Sequence, residues 1–300
     1  MTTSTTFASV SALVRRETSM VYDEGKEYLV EARLNPLAAA RGLGLEEYVA
    51  RLALDAEERR KVIDALTINE TSWFRDHTPY QAFTEAMVPA LLERRAAARR
   101  LRIWSAACSS GQEAYSIAML LDQHLPAGWS YEIVATDIST AMLDRVRAGR
   151  YSQVEVNRGL PATSLVRYFT REGRDWEIAE RLRQRVTVKH LNLAAPYAGL
   201  GTFDVVWLRN VLIYFDATTK ADILRRMLPM VADDGYLLLG SSETTLDMPA
   251  DLAAAWQREQ IGRVPTYRRA PVRTFLSGPT PPTGTTSPSL TSPSLTSTGA

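Results

Sequence analysis

The chain has 300 residues, 45% of them hydrophobic, with 35 Lys and Arg against 34 Asp and Glu for a net charge of +1. That allows one large domain and a small one around a substantial core, and it excludes a bulk field drawing the protein to nucleic acid or membrane. One cysteine excludes an intramolecular disulfide, and the separated His77, His124 and His190 give no zinc-like spacing, so no metal is expected and a reducing cytoplasm fits best.

The N-terminus is rich in Thr and Ser, without a basic stretch followed by an apolar run. No window reaches the apolar length of a membrane span, so neither export nor insertion is expected. From about Phe7 to Leu66 the apolar spacing is helical. Val10, Leu13 and Val14 form one stripe; Tyr28, Leu29, Ala32 and Leu37 a second; Tyr48, Leu52 and Leu54 a third; Val62, Ile63 and Leu66 a fourth. Four short helices are predicted, punctuated by Gly42 and Gly44. Nine basic residues stand against eleven acidic ones here, which reads as a solvated helical surface.

Asn69-Glu-Thr-Ser-Trp-Phe-Arg-Asp76 follows as a polar connector, then a helix from about Tyr80 to Arg99 that Pro89 is placed to kink. Trp73 and Phe74 are expected in a core. Asn69, Thr71 and Arg75 can act as caps, surface groups or ligands reaching into a cleft; spacing alone favours caps. Leu101 to Leu121 reads as an apolar strand, a small-residue turn (Ser105, Ala106, Ala107, Ser109, Ser110, Gly111) and an amphipathic helix, the opening unit of a doubly wound sheet. Such a turn lets a ligand approach the backbone, although this one lacks the G-x-G-x-x-G spacing. Tyr131 to Asp137 is a second strand. Its terminal acid stands 24 positions beyond Glu113, where nucleoside-binding sheets hold ribose hydroxyls, and it suits equally well as N-cap of a helix starting near Thr140.

Asp144 to His190 fits neither pattern. It carries eleven Lys and Arg against six Asp and Glu, a local balance of +5, interleaved with Tyr151, Tyr168, Phe169 and Trp176. A nucleic-acid groove, an acidic protein partner and plain surface decoration all remain open on composition. A third strand runs from Val186 to Leu191, ahead of Asn192. Phe203 to Leu208 is a fourth, unbroken as a strand buried on both faces should be. A helix over Thr219 to Val231, the pair Asp234-Gly235, a fifth strand Tyr236 to Gly240, and a hairpin over Gly262 complete the pattern. Residues 277–300 are Ser, Thr, Pro and Gly with little else, cannot bury a core, and are expected to be disordered.

Five motifs now stand in order behind a helical N-terminus: Asn69-x-Thr-x-x-Phe-Arg75, Ala107-Cys-Ser-Ser-Gly-Gln-Glu113, Ala135-Thr-Asp137, Leu191-Asn-Leu193 and Leu208-Arg-Asn-Val-Leu-Ile-Tyr-Phe-Asp216. In this arrangement the chain resembles the CheR-type chemotaxis receptor methyltransferases from about Phe7 to Arg269. The resemblance implies an α/β fold with a Rossmann-like seven-stranded sheet of S-adenosylmethionine-dependent methyltransferases over 68–272. It also implies an all-helical N-terminal domain over 7–67 and a small inserted subdomain over about 148–186. The implied reaction is methyl transfer from S-adenosylmethionine, leaving S-adenosylhomocysteine, to the γ-carboxylate of glutamates on the cytoplasmic helical bundle of chemoreceptors. A monomer working in the cytoplasm at receptor arrays, with no nucleic-acid partner, is the expectation. Residue by residue, the resemblance places Asn69, Thr71 and Arg75 on the cofactor, Glu113 in its cradle and Asp137 on the ribose. Asn192, Leu193, Arg209 and Asn210 fall around the adenosyl group, and Tyr214 near the reacting methyl, which makes Arg75 and Tyr214 the catalytic candidates.

A glutamate side chain is already ionised at neutral pH, its unperturbed pKa being about 4.3, so the acceptor needs no general base. What remains is to hold a carboxylate oxygen in line with the methyl–sulfonium bond and to exclude water. Arg75, able to grip a carboxylate with two N–H groups, and Tyr214, a hydroxyl donor, suit positioning; whether Arg75 holds the substrate carboxylate or the cofactor's stays open. Cys108 reads as a small buried residue without a nucleophilic role. Trp73-Phe74 replaces the two phenylalanines of many relatives. The connection Arg171 to Trp176 is shorter and poorer in glycine than the loop of members that capture a receptor pentapeptide, so no such tethering is expected. The +5 insertion is the preferred contact for an acidic receptor helix. An acceptor other than glutamate, or a cofactor-sensing module without turnover, are the competing readings.

Overall fold

Four helices open the computed structural model, which describes residues 4–22, 25–245 and 248–271 together with Gly299. They are α1 (Ser4–Thr18), α2 (Glu27–Ala40), α3 (Leu45–Arg51) and α4 (Ala56–Leu66). Asp55 caps α4, its carboxylate accepting from the amides of Glu57 and Glu58 at 3.0 Å. Val10, Leu13, Val14, Tyr48, Leu52, Val62, Ile63 and Leu66 are buried as their spacing predicts. On α2 the stripe lies elsewhere: Val30, Leu34 and Ala38 are buried, while Tyr28 is 70% exposed and Ala32 also faces solvent. Leu54, expected in the third stripe, is 93% exposed in the turn after α3. One carboxylate is drawn inside. Glu58 accepts from Lys61 Nζ at 2.9 Å and Tyr48 OH at 2.8 Å and pairs with Arg41, and these partners hold its carboxyl down at about 2.

The connector leads into α5 (Thr78–Ala82), a π-turn at Phe83–Met87, and α6 (Val88–Arg94). Pro89 has no N–H to continue the ladder, and the chain absorbs the lost bond by widening one turn, Val88 N donating to Phe83 O. The helix ends five residues before the predicted Arg99. Then come β1 (Arg100–Ala106), α7 (Gln112–His124), β2 (Ser130–Asp137) and α8 (Thr140–Ala148). The insertion follows as β3 (Arg150–Ser152), α9 (Gln153–Val156), α10 (Ala162–Tyr168), β4 (Phe169–Glu172), β5 (Asp175–Ile178) and α11 (Glu180–Arg183). The chain closes with β6 (Val186–His190), β7 (Phe203–Leu208), α12 (Ala217–Met227), β8 (Val231–Leu239), α13 (Ala250–Ala255), β9 (Trp256–Ile261) and β10 (Val264–Arg269).

Seven strands form the main sheet in the order β6-β2-β1-β7-β8-β10-β9, with β10 antiparallel to both neighbours and the β6-to-β8 portion parallel. The order reverses at β1, which places a crevice at the carboxyl ends of β1, β2 and β7. Side chains alternate along the strands: Trp104 and Val206 share one core with the N-terminal helices, whereas Ile103, Val205 and Trp207 share the other with α5 to α7. Asp234-Gly235 proves to be part of β8. Pairing with β7 shifts between Phe203 and Val205, so the dipeptide sits in an irregularity of a longer strand, and a Cβ on Gly235 would lie 2.8 Å from Asp204 O.

The insertion is a three-stranded antiparallel sheet, β3-β5-β4. Tyr151, Tyr168 and Phe169 are buried, and the Trp73 ring meets Tyr151 and Phe169 edge-on at 4.8 and 5.4 Å. A nucleic-acid groove would need those aromatics exposed, and they form a core instead. Seven of the eleven cations pair with carboxylates, among them Arg150 with Glu177 at 3.0 Å and Arg183 with Glu177 at 2.8 Å, so the positive excess free for docking is smaller than composition indicates. The 277–300 segment, apart from Gly299, lies outside the described residues. Among the described residues no helix is long and apolar enough to cross a membrane.

Candidate functional site

β1 stops at Ala106 because the next residues leave the strand conformation. Ala107, Ser109 and Gly111 have φ of 59, 50 and 95°, and non-glycine residues there cost of order 1–3 kcal/mol each. Hydrogen bonds from outside the turn hold it in this form. Ser109 N donates to Asp137 Oδ2 at 2.8 Å, Cys108 N to Thr136 O at 2.9 Å, and Ser109 Oγ to Asn69 O at 2.8 Å. Asp137 accepts on its other oxygen from Ser139 N at 2.9 Å. It is not the N-cap of α8: Ser139 is, its hydroxyl accepting from Met142 N at 3.3 Å. Burial pushes the Asp137 carboxyl up, against the pull of the Ser139 and Ser109 amides. Burial likewise raises the Cys108 thiol well above its usual range, with Asp137 and Glu113 adding to it, which leaves no ready thiolate.

Above this turn lies a pocket at the carboxyl ends of β1, β2 and β7. All ten residues singled out from the sequence line it. Asn69 Nδ2 donates to Thr67 Oγ1 at 3.1 Å, and Arg75 donates to Glu70 O at 3.0 Å. Neither these two nor Thr71 caps the following helix, whose N-cap is His77. Glu113 accepts from Ser105 Oγ at 2.8 Å and pairs with Arg209 at 3.3 Å; burial raises its carboxyl although Arg209 opposes the shift. The Arg209 guanidinium, with 2% of its side chain exposed, also donates to Arg75 O at 3.0 Å and Asp76 Oδ2 at 2.6 Å. It thereby fastens a turn in which Phe74, Asp76 and His77 all have positive φ.

Asn192 is engaged on both sides of its amide, donating to Glu17 O at 2.8 Å and accepting from Ala194 N at 2.9 Å, while Leu193 is buried beside it. Asn210 adopts φ 57° just beyond β7. Tyr214 lies in the 3-10 turn Leu212–Tyr214, and burial raises its phenol. Its carbonyl accepts from Val21 N at 2.9 Å, and Met20 bridges Phe215, which pins the exit of α1 to this loop. Thr18 and Met20 consequently line the pocket. Sequence reading missed both, because no local pattern marks a residue brought in from about two hundred positions away. Among the described residues no cluster of three or more His, Cys, Asp or Glu could hold a metal ion.

The donor set fits an adenosyl amino acid: a carboxylate at the end of β2 suits hydroxyls, a second acid suits an amino group, Arg75 suits a carboxylate, and the walls contributed by Ile138, Leu193 and Val211 suit an apolar ring system. Sheet order, the β1 turn and this pocket define a Rossmann-like α/β protein with a nucleotide-type cofactor site at the carboxyl ends of its strands. Residues 69–260 match the family description "CheR methyltransferase, SAM binding domain", and residues 5–67 match "CheR methyltransferase, all-alpha domain". Chemotaxis protein methyltransferase 1 of Pseudomonas aeruginosa is 42% identical over 253 residues, covering 81% of this chain and 91% of that protein. Chemotaxis protein methyltransferase Cher2 of Pseudomonas putida is 40% identical over 252 residues, with the same two shares. The chemotaxis protein methyltransferase of Vibrio anguillarum is 38% identical over 246 residues, covering 79% and 88%. The chain belongs to the CheR methyltransferase family. It is an S-adenosylmethionine-dependent methyltransferase of chemotaxis.

Proposed function

We propose that the protein methylates glutamate side chains on the cytoplasmic helical bundle of chemoreceptors, as a monomer at receptor arrays and without pentapeptide tethering. The observation that supports this most is the convergence of Arg75, Tyr214 and the eight other residues on one pocket between the exit of α1 and the carboxyl ends of β1, β2 and β7. S-adenosylmethionine, when bound, supplies a methyl group activated by a sulfonium. Asp137, Glu113, Asn69, Thr71, Asn192, Leu193, Arg209 and Asn210 are assigned to holding it, Asp137 on the ribose. Arg209 acts through Glu113 and the 75–76 turn, since its terminal nitrogens are engaged there.

Tyr214, a phenol that holds its proton at neutral pH, donates a hydrogen bond that orients the acceptor carboxylate, and Arg75 offers a paired N–H grip beside it. Their role is alignment and water exclusion; well-oriented reactants gain effective molarities of about 10⁵–10⁸ M. The test is transfer of radiolabelled methyl from S-adenosylmethionine to receptor signalling domains. Alkali-labile label is expected, as for an ester. Arg75→Ala should lower transfer about 10- to 150-fold and Tyr214→Phe about 2- to 10-fold, the range for a charge-assisted and a neutral hydrogen bond. Alkali-stable label, or cofactor binding with no transfer to any receptor, would overturn the proposal.

A further inference from the structure

We infer that Glu243 is a positioning residue: its buried carboxylate sets the path of the Asn210–Tyr214 loop and acts on transfer through Tyr214. This rests on the reading of Tyr214 given above. Glu243 follows the end of β8, is 7% exposed, and gathers four backbone N–H groups. Oε2 accepts from Gly240 N at 2.6 Å and Asn210 N at 2.9 Å; Oε1 accepts from Val211 N at 2.9 Å and Leu212 N at 2.7 Å.

Those donors have few other options. β7 ends at Leu208, Asn210 has positive φ, and the 3-10 turn Leu212–Tyr214 is too short to satisfy the amides at its own start. One carboxylate, with two lone pairs on each oxygen, supplies all four acceptors where a neutral amide supplies half. Gly240 belongs to the same device: a Cβ there would lie 2.7 Å from Glu243 Oε2 and 2.8 Å from Asn210 N. Glu243 anchors the start of the loop, while Val21 N holds the Tyr214 carbonyl at its end. Glu243 itself does not line the pocket, whereas Asn210, Val211 and Tyr214 do.

Glu243→Gln keeps the volume but turns an NH₂ toward two N–H donors. The expected result is a drop in kcat of about 2- to 10-fold, no larger than that of Tyr214→Phe, with the dissociation constant for S-adenosylhomocysteine, read by calorimetry on the full chain, changed by a smaller factor. In a double-mutant cycle, the loss caused by Glu243→Gln should largely vanish in the Tyr214→Phe background. Gly240→Ala, which displaces the carboxylate without removing it, should give the same kcat-selective loss and covers the case in which Glu243→Gln does not fold. Unchanged kcat in both variants, additive effects in the cycle, or a loss shared equally by cofactor affinity would overturn the inference. If the parent transfers no methyl to receptors, the proposed function fails; if the parent transfers and these variants match it, only this inference fails.

Discussion

Replacing Asp137 by Asn tests whether the acid at the end of β2 serves the cofactor as well as the turn. The change preserves shape. The carboxylate has Ser109 N on one oxygen at 2.8 Å and Ser139 N on the other at 2.9 Å, so the amide keeps one acceptor and turns its NH₂ toward the second donor. A hydrogen bond to a charged group contributes about 1.5–3 kcal/mol, which at 1.4 kcal/mol per tenfold predicts about 10- to 150-fold weaker cofactor binding. Global stability should move less. Burial already pushes this carboxyl up, so a neutral side chain is relieved of the cost of burying charge, and that relief offsets part of the lost bond. A chain of this size shifts by about 2–4 °C in Tm per kcal/mol. Calorimetry with S-adenosylhomocysteine at pH 7.5, paired with a thermal melt, reads both quantities. Affinity within threefold of the parent would refute the ribose-side role, and a Tm drop large enough to account for the whole affinity loss would reduce Asp137 to a structural clamp.

Glu58 gives a pH dependence whose sign follows from its partners. Its folded pKa of about 2 lies below the ordinary 4.5, so its contribution is complete above about 4.5 and vanishes as pH falls toward 2; the Tm deficit of Glu58→Gln should close over that window, and a deficit constant with pH would contradict it. Gly159→Ala places a Cβ, at φ 93°, against the Trp73 carbonyl oxygen, whose own amide donates to Arg158 O at 3.1 Å. It should cost about 1–3 kcal/mol, lowering Tm by about 2–12 °C and loosening the connector that carries Asn69 to Arg75, and an unshifted Tm would show that the two segments part without penalty. Cys108→Ser should retain transfer within threefold, and loss of transfer with intact cofactor binding would mean that the buried thiol acts after all.

Local patterns in the chain determined a good deal. Apolar runs bounded by turns marked β1, β2, β6 and β7, helical spacing marked α1 to α4, and the order of these elements implied a doubly wound sheet behind a helical bundle. The ten residues assigned through the short motifs and the family resemblance all line the pocket, alongside others that no motif named. Tertiary structure decided what periodicity cannot carry. A helical stripe records which residues are apolar, but the face that is buried depends on the neighbour, so α2 turned Val30, Leu34 and Ala38 inward and left Tyr28 in water. Charge counts record residues and not partners, so seven of the eleven cations of the +5 insertion are paired, three of them with carboxylates outside it. The roles of Asp137, Arg209 and Glu243 depend on which distant N–H groups each side chain meets, and Thr18 and Met20 reach the pocket only because α1 exits beside Tyr214. Hydrogen-bond matching across long sequence separations is fixed when the chain closes, since most buried donors then find an acceptor in space rather than in sequence.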